Sequence, residues 1–287
     1  SDTATIDVEK SLNLNNIGVS AQALITSFET GIWDNLIVKT QNSNVSASNN
    51  LTLIKATLES ETLIIDAEQL QTDTDSWLGA NEMRIDSDVL TNNGILLAAS
   101  ELELNSRQIE NLGEIASFEA ININNEETLT NEGRIIANDL LISTNELVNS
   151  KSIGSQNLEL VYQNVTNSSE AVLSSQNAVY KAKTNTASFT NYGTQIASDS
   201  MSWLTLEDSS GSYINAGLLS GTQVKFTGLT TVQNGLLIDG EIKGTIQALT
   251  NNDNEEALIA GVPVVGTLTI GTEEFTQLGT LEANKIN

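Results

Sequence analysis

Apolar and polar residues along this chain follow a short pattern that recurs from Leu90 to Gly235. Each copy has an apolar residue, any residue, an asparagine, any residue and usually a glycine, as in Leu129-Thr-Asn131-Glu-Gly133. Successive asparagines are 19, 20, 18, 18, 24, 24 and 19 residues apart, and they are Asn92, Asn111, Asn131, Asn149, Asn167, Asn191, Asn215 and Asn234. Repetition at a period of about 20 residues predicts a solenoid.

Between the asparagines, apolar residues alternate with polar ones, and this period of two indicates β-strands. The inward pairs of the clearest strands are Leu102/Leu104, Ile121/Ile123 and Leu140/Ile142. Strands so short cannot pair within one circuit of the solenoid, here called a coil, so each is expected to pair with its equivalent one coil away. The sequence therefore predicts an all-β parallel β-helix of about eleven to twelve coils, stacked about 4.8 Å apart.

Each asparagine stands two residues after an inward apolar side chain, so it should also point inward. Stacked one per coil, the side-chain amides could form a hydrogen-bonded ladder, since each both donates and accepts. The alternative is that the asparagine is a turn residue that tolerates a left-handed backbone. The glycine two positions later predicts a positive φ.

Some parts of the chain depart from the regular repeat. The coils over residues 36–75 are irregular, although Thr72 lies 20 residues before Asn92. Two longer coils of 24 residues lie within 165–217. We expect one stacked region over 1–250, followed over 251–287 by an acidic loop and short strands. These strands either cap the stack or begin another module.

The long coils are also enriched in aromatic and lysine residues. Aromatic residues are typical of the centres of protein interfaces. The candidates for contact with a receptor are Tyr180, Lys181, Lys183, Tyr192 and Trp203. The alternative is that the solenoid widens here and larger side chains fill its interior. Phe189, Tyr213 and Phe226 stand at inward positions and fit that interpretation.

Composition restricts the chemistry. The 287 residues include 12 Lys and Arg against 37 Asp and Glu, a net charge of −25, which argues against binding to nucleic acid. The chain has no Cys and no His, which excludes disulfides, thiolate nucleophiles, histidine bases and the usual zinc sites. No cofactor is expected, and no apolar run is long enough to span a membrane.

Two further kinds of site, for calcium and for glycan cleavage, can be tested against the sequence. Asp73 with Asp75, and Asp86 with Asp88, could seed a calcium site, but an acidic surface produces such pairs freely, so we interpret them as solvated carboxylates. A glycan-cleaving solenoid would need an aromatic-lined groove, and only Trp77 and Phe118 are aromatic between residues 36 and 160. We therefore expect no enzyme.

The succession of apolar-x-Asn-x-Gly, then Ile-x-Ala, then Leu-x-Ile resembles the filamentous haemagglutinin repeats of bacterial two-partner-secretion exoproteins. This class includes the large effectors of contact-dependent growth inhibition. Leu129–Ala137 followed by Leu140-Leu-Ile142 is the copy that matches best, and the resemblance covers about 16–235. It implies a right-handed parallel β-helix that an outer-membrane transporter exports to the bacterial surface. Because the chain starts at Ser1, we expect a piece of a longer polypeptide.

Three hypotheses for function follow. The first is a non-enzymatic, monomeric segment of the extracellular rod that binds an outer-membrane protein or surface glycan of a target bacterium. The second is an adhesin shaft that binds host cells or matrix. The third is a polysaccharide-active β-helix enzyme.

Overall fold

The computed structural model describes residues 3–204, 206, 211–215 and 217–227, together with seven short strands farther along the chain. These residues form β-strands and connecting turns without a helix, and the strands run parallel in a β-solenoid of about ten coils. The predicted all-β parallel β-helix is therefore confirmed, with about ten coils where the sequence predicted about eleven to twelve. The chain divides into two compact units, residues 1–139 and 140–287, and each is described by itself.

The first unit (1–139) contains twelve strands and the start of a thirteenth, β13 (Arg134–Ser143), which continues into the second. The twelve are β1 (Thr3–Asp7), β2 (Ser11–Asn15), β3 (Gly18–Ser20), β4 (Ala23–Phe28), β5 (Thr30–Asp34), β6 (Ile37–Lys39), β7 (Asn42–Ile54), β8 (Thr57–Thr72), β9 (Trp77–Asn92), β10 (Ile95–Asn111), β11 (Glu114–Ser117) and β12 (Ala120–Asn131).

Each coil of the first unit has three faces, which β9 shows in full. Its residues 77–80 form the first face, 82–87 the second and 89–92 the third. All three segments pair in parallel with the equivalent segments of β8 in the preceding coil and of β10 in the next. Because strands pair coil to coil, identical positions stack in columns about 4.8 Å apart.

The core of the first unit is made of these columns of aliphatic side chains. One column on the second face is almost uniformly branched or long aliphatic and contains Val45, Ile65, Ile85, Leu104 and Ile123, all buried. Most outward residues on the same strands are polar and partly exposed. The alternation seen in the sequence is thus the alternation between the core and solvent.

The irregular coils over 36–75 keep the same register as their neighbours. Leu53 stands between Trp33 in the preceding coil and Thr72 in the next, and Thr72 stacks under Asn92. The sequence pattern is hard to follow here because the inward column changes chemistry from indole to aliphatic to hydroxyl. The backbone pairing itself continues through these coils, with a register shift between Ala47 and Asn50.

In the first coils, the asparagines of the pattern serve a different purpose from those farther along. Asn16 and Asn35 are exposed and have φ values of 54° and 50°, and Lys55 in the next coil has 49°. They form a left-handed corner after the third face, a conformation that asparagine tolerates better than most residues. The turn-forming alternative is therefore correct for Asn16 and Asn35.

Those glycines of the pattern that the structure describes do not have the positive φ that the sequence predicts, so that prediction is wrong for them. They are needed because neighbouring coils approach too closely for a side chain. A Cβ on Gly113 would stand 2.0 Å from the carbonyl oxygen of Gly94, and one on Gly133 2.0 Å from that of Gly113. Close approach of one backbone to another is a second reason for glycine in a β-structure.

The second unit (140–287) continues from the end of β13 with fifteen strands, of which the last seven are short. They are β14 (Glu146–Asn149), β15 (Ser152–Tyr162), β16 (Asn164–Asn167), β17 (Val172–Ala182), β18 (Ser188–Asn191), β19 (Thr194–Leu204), β20 (Ser212–Asn215), β21 (Leu218–Thr227), β22 (Thr231–Asn234), β23 (Leu237–Ile238), β24 (Glu241–Ile242), β25 (Ala248–Asn251), β26 (Thr267–Leu268), β27 (Glu274–Gln277) and β28 (Lys285–Ile286).

The first long coil of the second unit has its extra residues in two turns. Strand pairing puts Ser152 beside Val172 and Asn164 beside Ser188, so the additional residues fall in 168–171 and 183–187. The second long coil is only partly described, because much of 205–210 lies outside the described residues. The same is true of most of the predicted acidic loop and cap or module at 251–287.

Candidate functional site

The inward asparagines form a hydrogen-bonded ladder in each unit. In the first unit Asn92 Nδ2 donates to Asn111 Oδ1 at 2.8 Å, and Asn111 Nδ2 donates to Asn131 Oδ1 at 2.8 Å. In the second, the same bonds join Asn149, Asn167, Asn191 and Asn215 at 2.7 to 2.8 Å. All seven side chains are buried, so these bonds satisfy polar groups that would be costly to leave unpaired. The side chain of Asn234 lies outside the described residues.

The ladder of the first unit begins at a hydroxyl. Thr72 Oγ1 donates to Asn92 Oδ1 at 2.8 Å and accepts from the backbone N–H groups of Asn93 and Gly94, each at 3.1 Å. Thr72 thereby provides the donor that an asparagine in the preceding coil would have provided. These ladders are structural, because every group in them is directed at the chain itself.

Two of the five receptor-contact candidates are buried, which is a correction to their assignment. Tyr180 is 1% exposed and Trp203 is 0% exposed. Their rings stack with centroids 4.8 Å apart, and both contact Phe189 edge-on. They pack into an aromatic interior, which is the alternative that the sequence left open, and no receptor can reach them in the folded chain.

The other three candidates are accessible but do not form one site. Lys181 donates to Glu159 Oε1 at 2.6 Å on the outer side of β15 and β17. Lys183 lies in the turn after β17 and donates to Asn145 Oδ1 at 3.2 Å. Tyr192, 53% exposed, follows the ladder residue Asn191, on the other side of the intervening strand β18. The concentration of these residues in the sequence therefore does not become a concentration on the surface.

The aromatic interior of the second unit contains polar groups as well as rings. Tyr213 Oη donates to Gln195 Oε1 at 2.9 Å, and Gln195 stands in a column between Leu173 and Leu219. Burial raises the pKa of the Tyr162, Tyr180 and Tyr213 hydroxyls well above the ordinary value, because a phenolate would lose its hydration there. These groups stay neutral and fix the packing.

Asp73 and Asp86, one residue from each aspartate pair, accept hydrogen bonds within the protein. Asp73 Oδ1 accepts from Ser76 Oγ at 2.6 Å and from the Lys55 backbone N–H at 3.0 Å. Burial raises the pKa of Asp73, but these hydrogen bonds outweigh that effect and hold it below its ordinary value. Asp86 accepts from Arg84 Nε at 2.7 Å. Among the described residues, no group of three or more acidic, His or Cys side chains is placed to hold a metal ion.

The feature that best qualifies as a site is a groove in the first unit. It has a volume of about 590 Å³ and follows the corner between the first and second faces across six successive coils. Its lining is Ser20, Ala21, Gln22, Lys39, Thr40, Gln41, Glu59, Ser60, Glu61, Trp77, Gly79, Ala80, Asn81, Leu97, Ala99 and Phe118. Volumes of this size are usual for ligand sites.

Small residues create the groove and large ones flank it. Because alanine stands at 21, 80 and 99 and glycine at 79, few side-chain atoms fill the corner and it forms a depression. Trp77 and Phe118 supply aromatic surface. Phe118, at 68% exposed, is the most exposed large apolar residue among those described. Outward isoleucines at 37 and 95 occupy the same first-face column as Trp77. Apolar surface collected at one place marks an interaction site more strongly than scattered apolar residues do.

The indole of Trp77 lies along its own strand and covers Gly79. A Cβ built on Gly79 would stand 2.1 Å from Cη2 and 2.3 Å from Cζ2 of the indole. Both residues point outward, since they flank the inward Leu78, which is fully buried. The glycine therefore lets the ring lie flat against the first face instead of projecting into solvent.

The polar part of the groove is held by an ion pair on the surface and by a hydroxyl cluster beneath it. Lys39 Nζ and Glu59 Oε2 form an ion pair at 2.7 Å, and Glu59 stands beside Gly79 in the adjacent coil. Beneath the corner, Thr40 Oγ1 lies 2.7 Å from both Ser43 Oγ and Ser60 Oγ. This interior hydroxyl cluster fixes the turn that carries Lys39 and Gln41, so the groove is preformed.

Sequence reasoning noticed Trp77 and Phe118 but did not place them together. They are 41 residues apart and stand two coils apart in the stack, because Trp77 pairs with Ile95 and Ile95 with Glu114. The alternation of inward and outward positions could have revealed part of the groove. Trp77 and Gly79 flank an inward leucine, so a large ring and a residue without a side chain share the outer surface.

Comparisons with known proteins give no relative. A scan against protein-family models, a search of curated proteins and a search of solved structures each found no match. Among the described residues there is also no helix with the length and apolarity needed to cross a membrane. The fold and the groove are thus the observations on which a function can be proposed.

Proposed function

We propose that this chain is a non-enzymatic recognition segment of a secreted filamentous exoprotein, and that it binds a receptor on the surface of a target bacterial cell. The class of exoprotein comes from the resemblance of the repeats to those of filamentous haemagglutinin. The parallel solenoid of about ten coils is compatible with that class. The single observation that carries the binding role is the preformed groove containing Trp77 and Phe118.

A purely structural segment has no need of this groove. Polar networks occupy part of the outer surface elsewhere on the first unit, such as Asn105 Nδ2 donating to Asp86 Oδ1 at 2.8 Å and Asn124 Nδ2 donating to Asn105 Oδ1 at 3.0 Å. Also exposed there are Ile17, Ile25, Ile32 and Leu112, but none is aromatic and none lines the groove. Exposing an indole and a phenyl ring instead leaves apolar area in water, which costs free energy unless a partner covers it. This cost supports a binding role over a spacer role.

The experiment is a binding assay with the 287-residue chain, fluorescently labelled, on intact bacteria, isolated bacterial envelopes, host cells and host matrix. We expect saturable binding to some bacterial envelopes that is lost in Trp77→Ala. The matched control is Tyr192→Ala, which removes an exposed aromatic ring of the second unit, outside the groove. Circular dichroism of both variants checks that they are folded.

Each other outcome has a definite meaning. Binding only to host cells or matrix would replace the proposal by host adhesion. Binding that survives Trp77→Ala but is lost in Tyr192→Ala would move the contact to the second unit. Release of oligosaccharides from a glycan incubated with the chain would make it an enzyme. Absence of binding to every surface would overturn the recognition role.

A further inference from the structure

We infer that the groove binds a neutral glycan chain laid across successive coils of the first unit, an inference that rests on the proposed recognition role. The occupant is thus a surface polysaccharide or the glycan part of an envelope component, not a folded protein domain. Four observations on the groove lead to this chemistry.

The first observation is the shape of the groove. Its lining comes from six successive coils, from Ser20 in the first to Phe118 in the last. With coils about 4.8 Å apart, the groove extends on the order of 25 Å along the stack. A site of this length, open to solvent, suits a linear polymer of several units better than a compact small molecule.

The second observation is the aromatic surface. The six-membered ring of Trp77 covers Gly79 and lies against the strand, so one face of the ring is turned to the groove. The electron-rich face of an aromatic ring attracts the C–H groups that a sugar ring presents on its flat side. Phe118 stands two coils farther, about 10 Å along the stack, and four positions beyond Glu114, the residue aligned with Trp77, so the two rings lie diagonally across the groove.

The third observation is the kind of polar group beside the rings. The lining offers the amides of Gln22, Gln41 and Asn81, the carboxylates of Glu59 and Glu61 and the ammonium of Lys39. Amides both donate and accept, carboxylates accept and ammonium groups donate. Each sugar hydroxyl can donate and accept a hydrogen bond, so this mixture of groups matches a polyol. An apolar peptide side chain would leave these groups without hydrogen-bond partners.

The fourth observation is the charge. Two carboxylates face one ammonium in the groove, the ammonium is already paired with Glu59, and the whole chain carries −25. A polyanionic glycan or a nucleic acid would be repelled by this field. The glycan that fits is therefore neutral.

Strand pairing argues against an extended peptide as the occupant. The first-face segment 77–80 is already paired with 57–60 in one neighbouring coil and 95–98 in the other. No backbone edge is open at this point of the groove, so a peptide could not add as another strand, which is the usual mode for extended peptides on a sheet. The groove can therefore bind a ligand only through its side chains, which is the usual way in which proteins bind glycans.

The test is calorimetric and fluorimetric titration of the 287-residue chain with soluble neutral oligosaccharides, namely β-linked and α-linked glucans, mannans and galactans, and with alginate as the polyanion. Binding to bacteria is measured in parallel on untreated cells, cells oxidised with periodate and cells shaved with protease. We expect binding to at least one neutral oligosaccharide or, where the cognate sugar is outside that set, cell binding that periodate abolishes and protease does not.

The variants locate the site. Trp77→Ala should weaken glycan affinity at least tenfold, and Gly79→Ala several-fold, because the new methyl group must displace the indole. Tyr192→Ala should leave the affinity unchanged. Equal glycan affinity in Trp77→Ala and the unsubstituted chain, or a preference for alginate, would overturn the inference.

The outcomes separate this inference from the proposed function. Cell binding that requires Trp77 but is abolished by protease and not by periodate would overturn the glycan and keep the recognition role. Glycan binding that requires Trp77, without binding to any bacterial cell, would keep the glycan and overturn the bacterial target. Failure of both assays overturns both.

Discussion

The indole of Trp77 occupies the space that a side chain at Gly79 would need. This relationship connects two residues that are two positions apart on one strand, and it determines how aromatic surface is presented on the first unit. A ring lying flat against a sheet exposes a face to a ligand and loses little rotamer freedom on binding, because it is already held. The glycine is therefore as much a part of the groove as the tryptophan.

Trp77 should dominate the accessible tryptophan fluorescence of the chain. Of the three tryptophans, Trp33 and Trp203 are 0% exposed, whereas Trp77 is half-buried. We expect acrylamide to quench one component of the emission readily, and Trp77→Phe to remove that component. Gly79→Ala should make the same component easier to quench, because the displaced ring projects farther into solvent. A quenchable component that persists in Trp77→Phe would contradict the placement of the ring.

Removing one asparagine from the ladder should destabilise the chain markedly. Asn111→Ala deletes the acceptor for Asn92 Nδ2 and the donor for Asn131 Oδ1 in a buried environment. With one or two buried groups left unpaired, we expect a loss of about 2 to 4 kcal/mol in the free energy of unfolding, measured by urea denaturation.

The matched control for this change is Asn124→Ala. Asn124 also donates to an asparagine one coil away, Asn105 Oδ1 at 3.0 Å, but on the exposed outer side. Water replaces that bond when it is lost, so we expect a change within about 0.5 kcal/mol. Equal costs for Asn111→Ala and Asn124→Ala would mean that the inward ladder contributes nothing special to stability.

The role of the repeat glycines in close coil packing can be tested by comparing two glycine-to-alanine variants. Gly113→Ala puts a methyl group 2.0 Å from the carbonyl oxygen of Gly94, so two coils must move apart. We expect a cost of about 1 to 3 kcal/mol, as for other overpacked sites. Gly18→Ala meets nothing within 4 Å, and should be neutral or slightly stabilising because it restricts the unfolded chain. Thermal unfolding of the two variants distinguishes them.

The buried tyrosines should make the chain sensitive to alkali. Tyr162 has an ordinary pKa of 10.0 in the unfolded chain, and burial raises it in the folded one. Below that unfolded value both states hold the proton and stability is unaffected. Above it the unfolded state releases the proton while the folded state retains it, so stability falls as pH rises toward the folded value. Tyr162→Phe should therefore move alkaline unfolding, followed by circular dichroism, to higher pH; an unchanged midpoint would contradict this explanation.

The fold could be derived from the sequence because the repeat keeps its phase. Each ladder asparagine follows an inward apolar or aromatic residue by two positions, and this relation holds through coils of 18 to 24 residues. The same relation failed at Asn16 and Asn35, where the column two residues earlier, Leu14 and Trp33, already holds the inward position that Asn92 occupies later. The pattern alone does not reveal that this inward column lies two residues before Asn16 and Asn35.

The site was harder to predict because it depends on contacts between coils. Clustering with lysines in the sequence predicts Tyr180 and Trp203 to be surface residues, but their rings fill the interior beside Phe189. Trp77 and Phe118 are isolated in the sequence, and only the stacking of coils brings them to one groove. Clustering along the chain is a poor guide to clustering on a solenoid, where neighbours are about one period apart.

The most direct measurement compares two glycine-to-alanine variants in the binding assay on bacterial envelopes. Gly79→Ala displaces the Trp77 indole. Gly154→Ala, in the second unit, meets only Ser174, whose Oγ lies at 3.4 Å and whose carbonyl oxygen lies at 4.0 Å, and should leave the surface unchanged. We predict that Gly79→Ala weakens envelope binding several-fold while Gly154→Ala binds like the unsubstituted chain. Equal binding by the two variants, with both folded, would show that the groove over Gly79 is not the recognition surface.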